Sequence, residues 1–375
     1  MFKILHRSKI SKARYGQLKI KNGTLETPFF MPDATRGVLK NISRTEMIEL
    51  GMEAMVVNTF HALLTPGLDI IKKNKGINNF MNWPGPLLSD SGGFQVFSLI
   101  HKNSQMGKIY EDKVVFKSPL DGAKHELTPE RSIQIQFELG VDMIVVLDDC
   151  PPHDHSQSKI TKSVDRTIAW AKRCKAEYSK QVKKRKLKIK PLIFGVIQGG
   201  LDNELRKKCG EALVDIGFDG YGFGARPVDS HGNFIGDVLE YTADLVPENN
   251  LRFGLGIGTP EDIIRCVNLG WDMFDCVIPT REGRHGKLFI KKCQDISSTK
   301  YYETINISNA KFALDKEPIN KKSRLADLRD YSRGYLHHLF KISDPLGARL
   351  ASLNNLEFYL ELMRNIRINI KKGRM

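Results

Sequence analysis

The chain has 375 residues, of which 41% are hydrophobic and 27% charged, as is usual for a globular protein with a large core. Lysine and arginine number 58 against 43 acidic residues, and the formal net charge of +15 indicates a polyanionic partner, with nucleic acid as the first candidate. Six scattered cysteines without a Cys-x-x-Cys pair argue against a disulfide framework and predict a reducing, cytoplasmic location. The short basic N-terminus does not resemble a signal peptide, and no apolar stretch is long enough to span a bilayer, so we expect no membrane association.

Short apolar runs alternate with helical patterns along most of the chain. Eight runs are continuously apolar, which is typical of parallel strands covered on their outer face. They are Phe29–Met31, Ala54–Asn58, Leu87–Ser89, Met143–Leu147, Leu192–Ile197, Tyr221–Phe223, Arg252–Ile257 and Met273–Val277. The helical segments between them include Asp165–Tyr178, Asn203–Ile216 and Pro260–Leu269. The pattern predicts an α/β fold, either a (β/α)8 barrel or a doubly wound open sheet.

The barrel pattern ends near Leu288. We therefore expect a catalytic barrel over residues 1–290 and a smaller C-terminal subdomain over residues 291–375 that packs on it. The segment near residues 99–125 is too long for a simple loop and is expected to carry small strands, for example Val114–Lys117. The basic run Lys183–Lys190 is interpreted as a solvated surface segment. A long helix pattern begins at Leu353.

Polar side chains lie at the ends of four predicted strands: Asp90, Asp148, Gln198 and Asp275. Because the carboxyl ends of barrel strands open on one face, we expect these side chains to converge. Two carboxylates suit glycosyl chemistry, in which one attacks the anomeric carbon and the other moves a proton. Asp148 and Gln198 have the acceptors and donors to bind a purine edge. With the basic surface, the pattern predicts exchange or hydrolysis at a nucleic-acid glycosidic bond.

Four long motifs resemble the signatures of the tRNA-guanine transglycosylase family, and the resemblance runs from Gly23 to about Gly373. The motifs are Ser89–Ser98, Phe194–Gly200, Gly256–Asp262 and Phe274–Arg281, and the segment Ser332–Leu339 also fits. The resemblance implies a (β/α)8 TIM barrel with a C-terminal subdomain. It also implies a pentosyltransferase that exchanges a guanine in a G-U-N anticodon of tRNA for a 7-deazaguanine base, preQ1 or queuine. Such an enzyme needs no redox cofactor, and the family commonly forms homodimers.

Residue roles follow from the resemblance by motif match. Asp275 is expected to be the nucleophile that forms a covalent ribosyl intermediate, and Asp90 the general acid or base. The expected base-binding residues are Ser91, Gly92, Gly93, Phe94, Asp148, Cys150, Gln198, Gly224, Ala225 and Leu255, with Phe94 and Leu255 on the two faces of the base. The expected RNA-binding residues are Gly256, Ile257, Gly258, Thr280, Arg281 and Arg284.

The C-terminal region departs from the family pattern. Bacterial and eukaryotic members carry a structural zinc site with the pattern Cys-x-Cys-x-x-Cys and a later histidine. The matching positions here are Ser323, Leu325, Leu328 and Asn354, and none of them is a good zinc ligand. We therefore predict a fold without zinc, in which the two leucines pack in place of the metal.

The loop Gly224–Ser230 is a second departure. Bacterial members usually have a Gly-Gly-Leu-x-Val-Gly-Glu-like sequence, in which a glycine N–H approaches the base and the glutamate helps to recognise an aminomethyl group. Here Ala225 and Ser230 occupy those two positions, and Pro227 removes a backbone donor. The sequence is therefore compatible with either preQ1 or queuine as the inserted base. Asp229 is a candidate replacement for the missing glutamate.

Three alternatives compete with this interpretation. Cys150, His153 and His155 could belong to a metal site, although a proline-stiffened loop at the pocket rim is favoured. A non-catalytic RNA-binding paralogue is disfavoured because both Asp90 and Asp275 are present. An enzyme acting on DNA or on another RNA is disfavoured by the family-like segment Thr280–Arg284.

Overall fold

The computed structural model describes residues 1–151, 155–293, 295–296, 298 and 300–375. The strands are β1 (Phe2–Arg7), β2 (Arg14–Ile20), β3 (Gly23–Thr27), β4 (Phe29–Pro32), β5 (Met55–Asn58), β6 (Leu87–Asp90), β7 (Gly107–Ile109), β8 (Val114–Lys117), β9 (Lys124–Leu127), β10 (Met143–Val145), β11 (Leu192–Ile197), β12 (Gly220–Phe223), β13 (Leu251–Gly254), β14 (Met273–Cys276), β15 (Lys287–Lys291) and β16 (Tyr302–Asn306). The helices are α1 (Arg44–Glu49), α2 (Thr59–Leu64), α3 (Leu68–Lys73), α4 (Ile77–Met81), α5 (Gly93–Lys102), α6 (Pro129–Leu139), α7 (Gln157–Lys184), α8 (Asn203–Ile216), α9 (Gly236–Leu245), α10 (Pro260–Asn268), α11 (Ile278–Arg284), α12 (Ala326–Asp330), α13 (Arg333–Lys341) and α14 (Pro345–Lys371).

A parallel sheet of eight strands forms the centre of the molecule, in the order β4-β14-β13-β12-β11-β10-β6-β5. Its first and last strands meet through a parallel bridge between Asp33 and Val56, where the Ala34 N–H donates to the Val56 carbonyl at 2.7 Å. Each of the eight predicted apolar runs overlaps one of these strands. The predicted (β/α)8 barrel is therefore confirmed, and the open doubly wound sheet is excluded.

An antiparallel sheet, β1-β2-β3, covers one end of the barrel. Its Leu18 and Leu25 are buried in the same cluster as Phe29 and Phe194 of the barrel strands. Asp142, just before β10, accepts a hydrogen bond of 2.9 Å from the backbone N–H of Asn22, between β2 and β3. The sheet therefore closes the end at which the barrel strands begin, and it leaves their carboxyl ends free for the site.

Helix boundaries follow local capping chemistry. The side chains of Thr128 and Thr259 accept hydrogen bonds from the first turns of α6 and α10, as their Thr-Pro sequences predict. The predicted strand Val114–Lys117 is β8, and it pairs with β7 and β9 in a small antiparallel sheet. The insertion begins later than residue 99, because α5 continues to Lys102 with Ile100 buried.

The C-terminal region joins the barrel through α14. The Asn355 side-chain amide donates to the Pro279 and Lys287 carbonyls at 3.0 and 2.9 Å. The Tyr359 hydroxyl donates to the Gly258 carbonyl at 2.6 Å. Strand β15 spans the predicted boundary at residue 290, and the division into two units remains a prediction. No helix among the described residues has the length and apolar character to cross a membrane.

Candidate active site

The carboxyl ends of the barrel strands bring the predicted carboxylates to one rim. Asp275 lies on β14, paired with Met31 of β4, and Asp90 ends β6, paired with Asn58 of β5. In the strand order, β4 and β5 lie between β14 and β6. Asp90 and Asp275 are therefore near neighbours around the rim although they are distant in sequence.

Asp90 is held by donors on all sides of its carboxylate. The Asn58 side-chain amide donates to Oδ2 at 2.6 Å, and the Gly92 N–H donates to Oδ1 at 2.9 Å. Burial, followed by the charge of Asp33, raises the pKa of Asp90 to about 7. A carboxyl group with this pKa can donate a proton near neutral pH and take it back, as a general acid and base must.

Asp275 has a sparser environment. The Gly256 N–H donates to its Oδ1 at 2.9 Å. Burial raises its pKa to about 7, and the charges of Asp33 and Asp90 add to this effect, while the Gly256 hydrogen bond opposes it. Since this hydrogen bond holds Oδ1, the other oxygen, Oδ2, can approach an electrophilic carbon.

A second polar pair lies at the carboxyl ends of β10 and β11. The Gln198 side-chain amide donates to Asp148 Oδ2 at 2.7 Å. Burial raises the pKa of Asp148 to about 6, so this group is mainly an anionic acceptor at pH 7. A Cβ added at Gly224 would clash with the Gln198 side chain, so only glycine allows this close packing. The pair presents acceptors and donors suited to the edge of a purine.

The remaining predicted base-binding residues surround this pair. The Cys150 thiol is half-buried, and burial together with Asp148 raises its pKa to about 12. Phe94 begins α5 with 62% of its side chain exposed, as a ring free to stack on a ligand would be. Ser91 accepts a hydrogen bond of 3.2 Å from the Gly93 N–H, and Gly92 has a left-handed φ of 78° in this tight turn.

The predicted RNA-binding residues differ in their access to solvent. Arg281 is exposed, and burial and the charge of Arg281 lower the pKa of Arg284, so this pair of like charges favours a bound anion. Ile257 and Thr280 are 0% and 2% exposed, and their side chains are not available to RNA. The RNA contacts remain a prediction, and the exposed fractions favour side-chain contacts by Arg281 and Arg284, whereas Gly256 and Gly258 offer backbone only.

Comparison with known proteins agrees with this geometry. A family model described as queuine tRNA-ribosyltransferase matches residues 9–375. A queuine tRNA-ribosyltransferase of Halothermothrix orenii is 40% identical over 371 residues, which are 99% of this chain and 94% of the relative. Its counterpart in Pseudoalteromonas atlantica is 40% identical over 364 residues, which are 97% of this chain and 92% of the relative.

This chain belongs to the queuine tRNA-ribosyltransferase family. The family and the enzyme class predicted from the motifs, a pentosyltransferase of tRNA modification, are thereby confirmed. Family membership does not assign roles to individual residues of this chain, and those roles remain proposals.

The loop after β12 is held by hydrogen bonds among its own residues and with the end of β12. The Ala225 N–H donates to the Phe223 carbonyl at 3.1 Å. Asp229 Oδ1 accepts hydrogen bonds of 2.8 and 2.9 Å from the His231 and Asn233 N–H groups, which closes the loop on itself. Asp229 is therefore occupied within its own turn, and this counts against it as a replacement for the missing glutamate.

The four zinc-ligand positions of the family hold a packed cluster here. Leu325 and Leu328 are buried. The Ser323 hydroxyl donates to Glu357 Oε2 at 2.5 Å, and the Asn354 side-chain amide donates to the Phe289 carbonyl at 3.1 Å. Two leucines, a hydroxyl and an amide do not provide the thiolate and imidazole ligands of a structural zinc ion, so these residues do not fit the metal.

Three rim residues were missed by sequence reasoning. Asn58 and Thr59 contact Asp90, the first through its side chain and the second through its hydroxyl and the Asp90 carbonyl. Asp33, which follows β4, raises the pKa of both Asp90 and Asp275. Asn58 is the last residue of a predicted strand, and Thr59 and Asp33 lie one and two residues after one, so position at a strand end, the signal that identified Asp90 and Asp148, could have found them.

The alternative metal site falls partly outside the described residues, because His153 is not among them. Within the described part of the chain, no group of three His, Cys, Asp or Glu side chains is placed to hold a metal ion. His155 contacts the ring of His101 edge-on, with centroids 5.4 Å apart.

Proposed function

We propose that this protein exchanges the wobble guanine of tRNAs with a G-U-N anticodon for a 7-deazaguanine base by double displacement. In the first step, a carboxylate oxygen of Asp275 attacks C1′ of the ribose. The bond between C1′ and the guanine nitrogen breaks, its electron pair leaves with guanine, and Asp90 supplies a proton to the departing base. The product of this step is a covalent ribosyl ester of Asp275.

The second step reverses the first with a new base. Asp90 accepts the proton from the incoming base nitrogen, that nitrogen attacks C1′, and the ester bond to Asp275 breaks. Asp148 and Gln198 hold the base edge in both steps, and Phe94 and Leu255 cover its faces. Arg281 and Arg284 bind the phosphates around the anticodon.

The placement of Asp90 and Asp275 on one rim beside the Asp148–Gln198 pair carries this proposal. Both carboxyl groups have a pKa of about 7, and one proton shared between them leaves one anion to attack and one acid to protonate the base. A non-catalytic RNA-binding protein has no need for two carboxyl groups with raised pKa values in one cleft.

The decisive test is a covalent adduct between the protein and tRNA. We expect a denaturation-resistant complex with a G-U-N tRNA, its disappearance in Asp275→Asn, and a loss of guanine exchange of at least about a thousandfold. The matched control is Asp215→Asn, which changes an exposed carboxylate on α8 and should leave exchange intact. An adduct that persists in Asp275→Asn would contradict the assignment, and tRNA binding without exchange would favour the non-catalytic paralogue.

The proposal also covers the inserted base, the structural zinc ion and the oligomeric state. The altered loop Gly224–Ser230 supports a preference shifted away from preQ1 towards a bulkier base such as queuine. The packed cluster at Ser323, Leu325, Leu328 and Asn354 supports folding without zinc. We propose a homodimer from the family resemblance alone, and sedimentation equilibrium measures the oligomeric state directly.

A further inference from the structure

A third carboxylate, Asp33, lies on the rim between the two proposed catalytic groups. It directly follows β4, which pairs on one side with β14, the strand of Asp275. On the other side Asp33 itself forms the bridge to Val56 of β5, and β5 pairs with β6, the strand of Asp90. The barrel topology therefore places Asp33 between Asp275 and Asp90.

The surroundings of Asp33 orient its carboxylate. The Thr35 hydroxyl donates to its Oδ1 at 2.7 Å, and the residue is half-buried. Burial raises the pKa of Asp33, and the hydrogen bonds from Thr35 oppose this shift. Asp33 is therefore a half-buried carboxylate with a hydrogen-bond donor, and not a freely solvated surface charge.

The negative charge of Asp33 also acts on both of the other carboxyl groups. Its charge is the main cause after burial of the raised pKa of Asp90. Its charge contributes more to the raised pKa of Asp275 than the charge of Asp90 does. Because like charges in one cleft cannot all ionise easily, an anionic Asp33 favours retention of a proton by its neighbours.

We propose that Asp33, which lies on the rim between Asp275 and Asp90, is a positioning residue that keeps one proton in the cleft at neutral pH, available to Asp90 for the departing guanine. This inference rests on the roles proposed for Asp90 and Asp275. Double displacement needs Asp275 ionised and Asp90 protonated in the same cleft. Asp33 does not touch the reacting atoms in this scheme and acts only through the proton balance of the other two groups.

Other charged or titratable groups surround this part of the rim. Arg36 lies on the same loop as Asp33, and together with burial it lowers the pKa of His61 on α2. Cys276 of β14 is influenced by Asp275, Asp33 and Arg281, and burial raises its pKa. These groups are unchanged in a variant at position 33, so a shift in the pH profile of that variant reports on Asp33.

The test is the pH dependence of kcat/KM for guanine exchange in Asp33→Asn, from about pH 5 to 9. The amide keeps an oxygen for the Thr35 hydroxyl but removes the negative charge. The acidic limb, set by ionisation of Asp275, and the alkaline limb, set by proton loss from Asp90, should both move to lower pH. A shift of about one unit corresponds to a tenfold loss of rate on the alkaline side and a matching gain on the acidic side.

Two variants complete the test. Asp33→Glu keeps the charge and should leave both limbs near their wild-type positions, and Asp33→Ser should reproduce the shift if the asparagine variant does not fold. Unchanged limbs in Asp33→Asn, or an equal loss of rate at every pH, would overturn the role of Asp33. These outcomes are distinct from failure of the proposed function, which Asp275→Asn reports through the adduct.

Discussion

A small number of residues in the loop after β12 determine the charge and the donors of the proposed base pocket. The Ala225 N–H is bonded to Phe223, Asp229 is bonded within its own turn, and Ser230 is exposed. The loop therefore lacks a free carboxylate at the position where the family uses glutamate. An ammonium group on the base is left without that ionic partner.

We predict a higher kcat/KM for queuine than for preQ1 in incorporation into the same G-U-N tRNA. Ser230→Glu should raise the kcat/KM for preQ1 about tenfold, the value of one hydrogen bond to a charged group. Ser179→Glu, on the exposed face of α7, is the control for added negative charge. Robust turnover with preQ1 and none with queuine would refute the shifted preference.

Sequence reasoning found part of the rim because polar residues that end continuous apolar runs are unusual. Asp90, Asp148 and Asp275 meet this criterion. Asn58 meets it too, but its side chain also caps α2 by accepting the His61 N–H at 3.0 Å. A cap or a turn is a sufficient explanation for such a residue in the sequence, so only the folded barrel reveals that Asn58 contacts Asp90 and that Asp33 lies between the proposed catalytic carboxylates.

The sheet β1-β2-β3 is attached to the barrel by a buried ion pair. The Arg14 guanidinium donates to both oxygens of Asp272 at 2.8 and 2.5 Å and to the carbonyls of Glu248 and Asn250. Asp272 also accepts the Arg252 N–H at 2.8 Å. One side chain therefore connects β2 to the segments before β13 and β14.

Arg14→Met should lower the free energy of unfolding by roughly 3–5 kcal/mol, because it leaves Asp272 buried without its partner. Urea denaturation measures the change. The control, Arg7→Met, removes the ion pair between Arg7 and Glu248, whose two side chains are 50% and 65% exposed respectively. It should change the free energy of unfolding by no more than about 1 kcal/mol. Equal effects of the two variants would show that the buried pair has no special role.

The sequence predicts the parallel strands of the barrel more clearly than the strands of the antiparallel sheet β1-β2-β3. Barrel strands such as β5 and β12 are buried along their whole length and read as continuous apolar runs. Strand β1 alternates between half-buried and exposed residues, and its mixed sequence Phe-Lys-Ile-Leu-His-Arg gives no such run. Helix α7 extends beyond its predicted bounds, Asp165–Tyr178, and its N-terminal extension buries Ile160 and Val164, four residues apart.

At the scale of the whole molecule, α14 joins the C-terminal region to the barrel, and a buried carboxylate on this helix binds the segment that holds three of the family's four zinc-ligand positions. Glu357 accepts hydrogen bonds from the Ser323 hydroxyl at 2.5 Å and the Arg324 N–H at 2.7 Å. Leu325 and Leu328 pack in the same region. The segment is thus fixed to α14 by side-chain bonding and apolar packing.

Purified protein should contain no zinc by elemental analysis, and EDTA should leave its Tm and exchange activity unchanged. Glu357→Ala should destabilise the protein by roughly 3 kcal/mol, because two donors lose their buried acceptor. Glu361→Ala, one turn further along α14, removes a half-exposed ion pair with Lys291 and should cost no more than about 1 kcal/mol. One equivalent of zinc per chain would disprove the metal-free fold.

The closure of the barrel has a consequence for motion at the site. Four residue pairs join β14 to β4 and four join β5 to β6, whereas a single bridge at Asp33 and Val56 joins β4 to β5. If this seam opens, Asp275 and Asp33 move together, because both are fixed to β4, and Asp90 moves with β5. This seam has the fewest paired residues between any two neighbouring barrel strands, so a motion there would change the distance between the proposed nucleophile and the proposed acid without unfolding a strand.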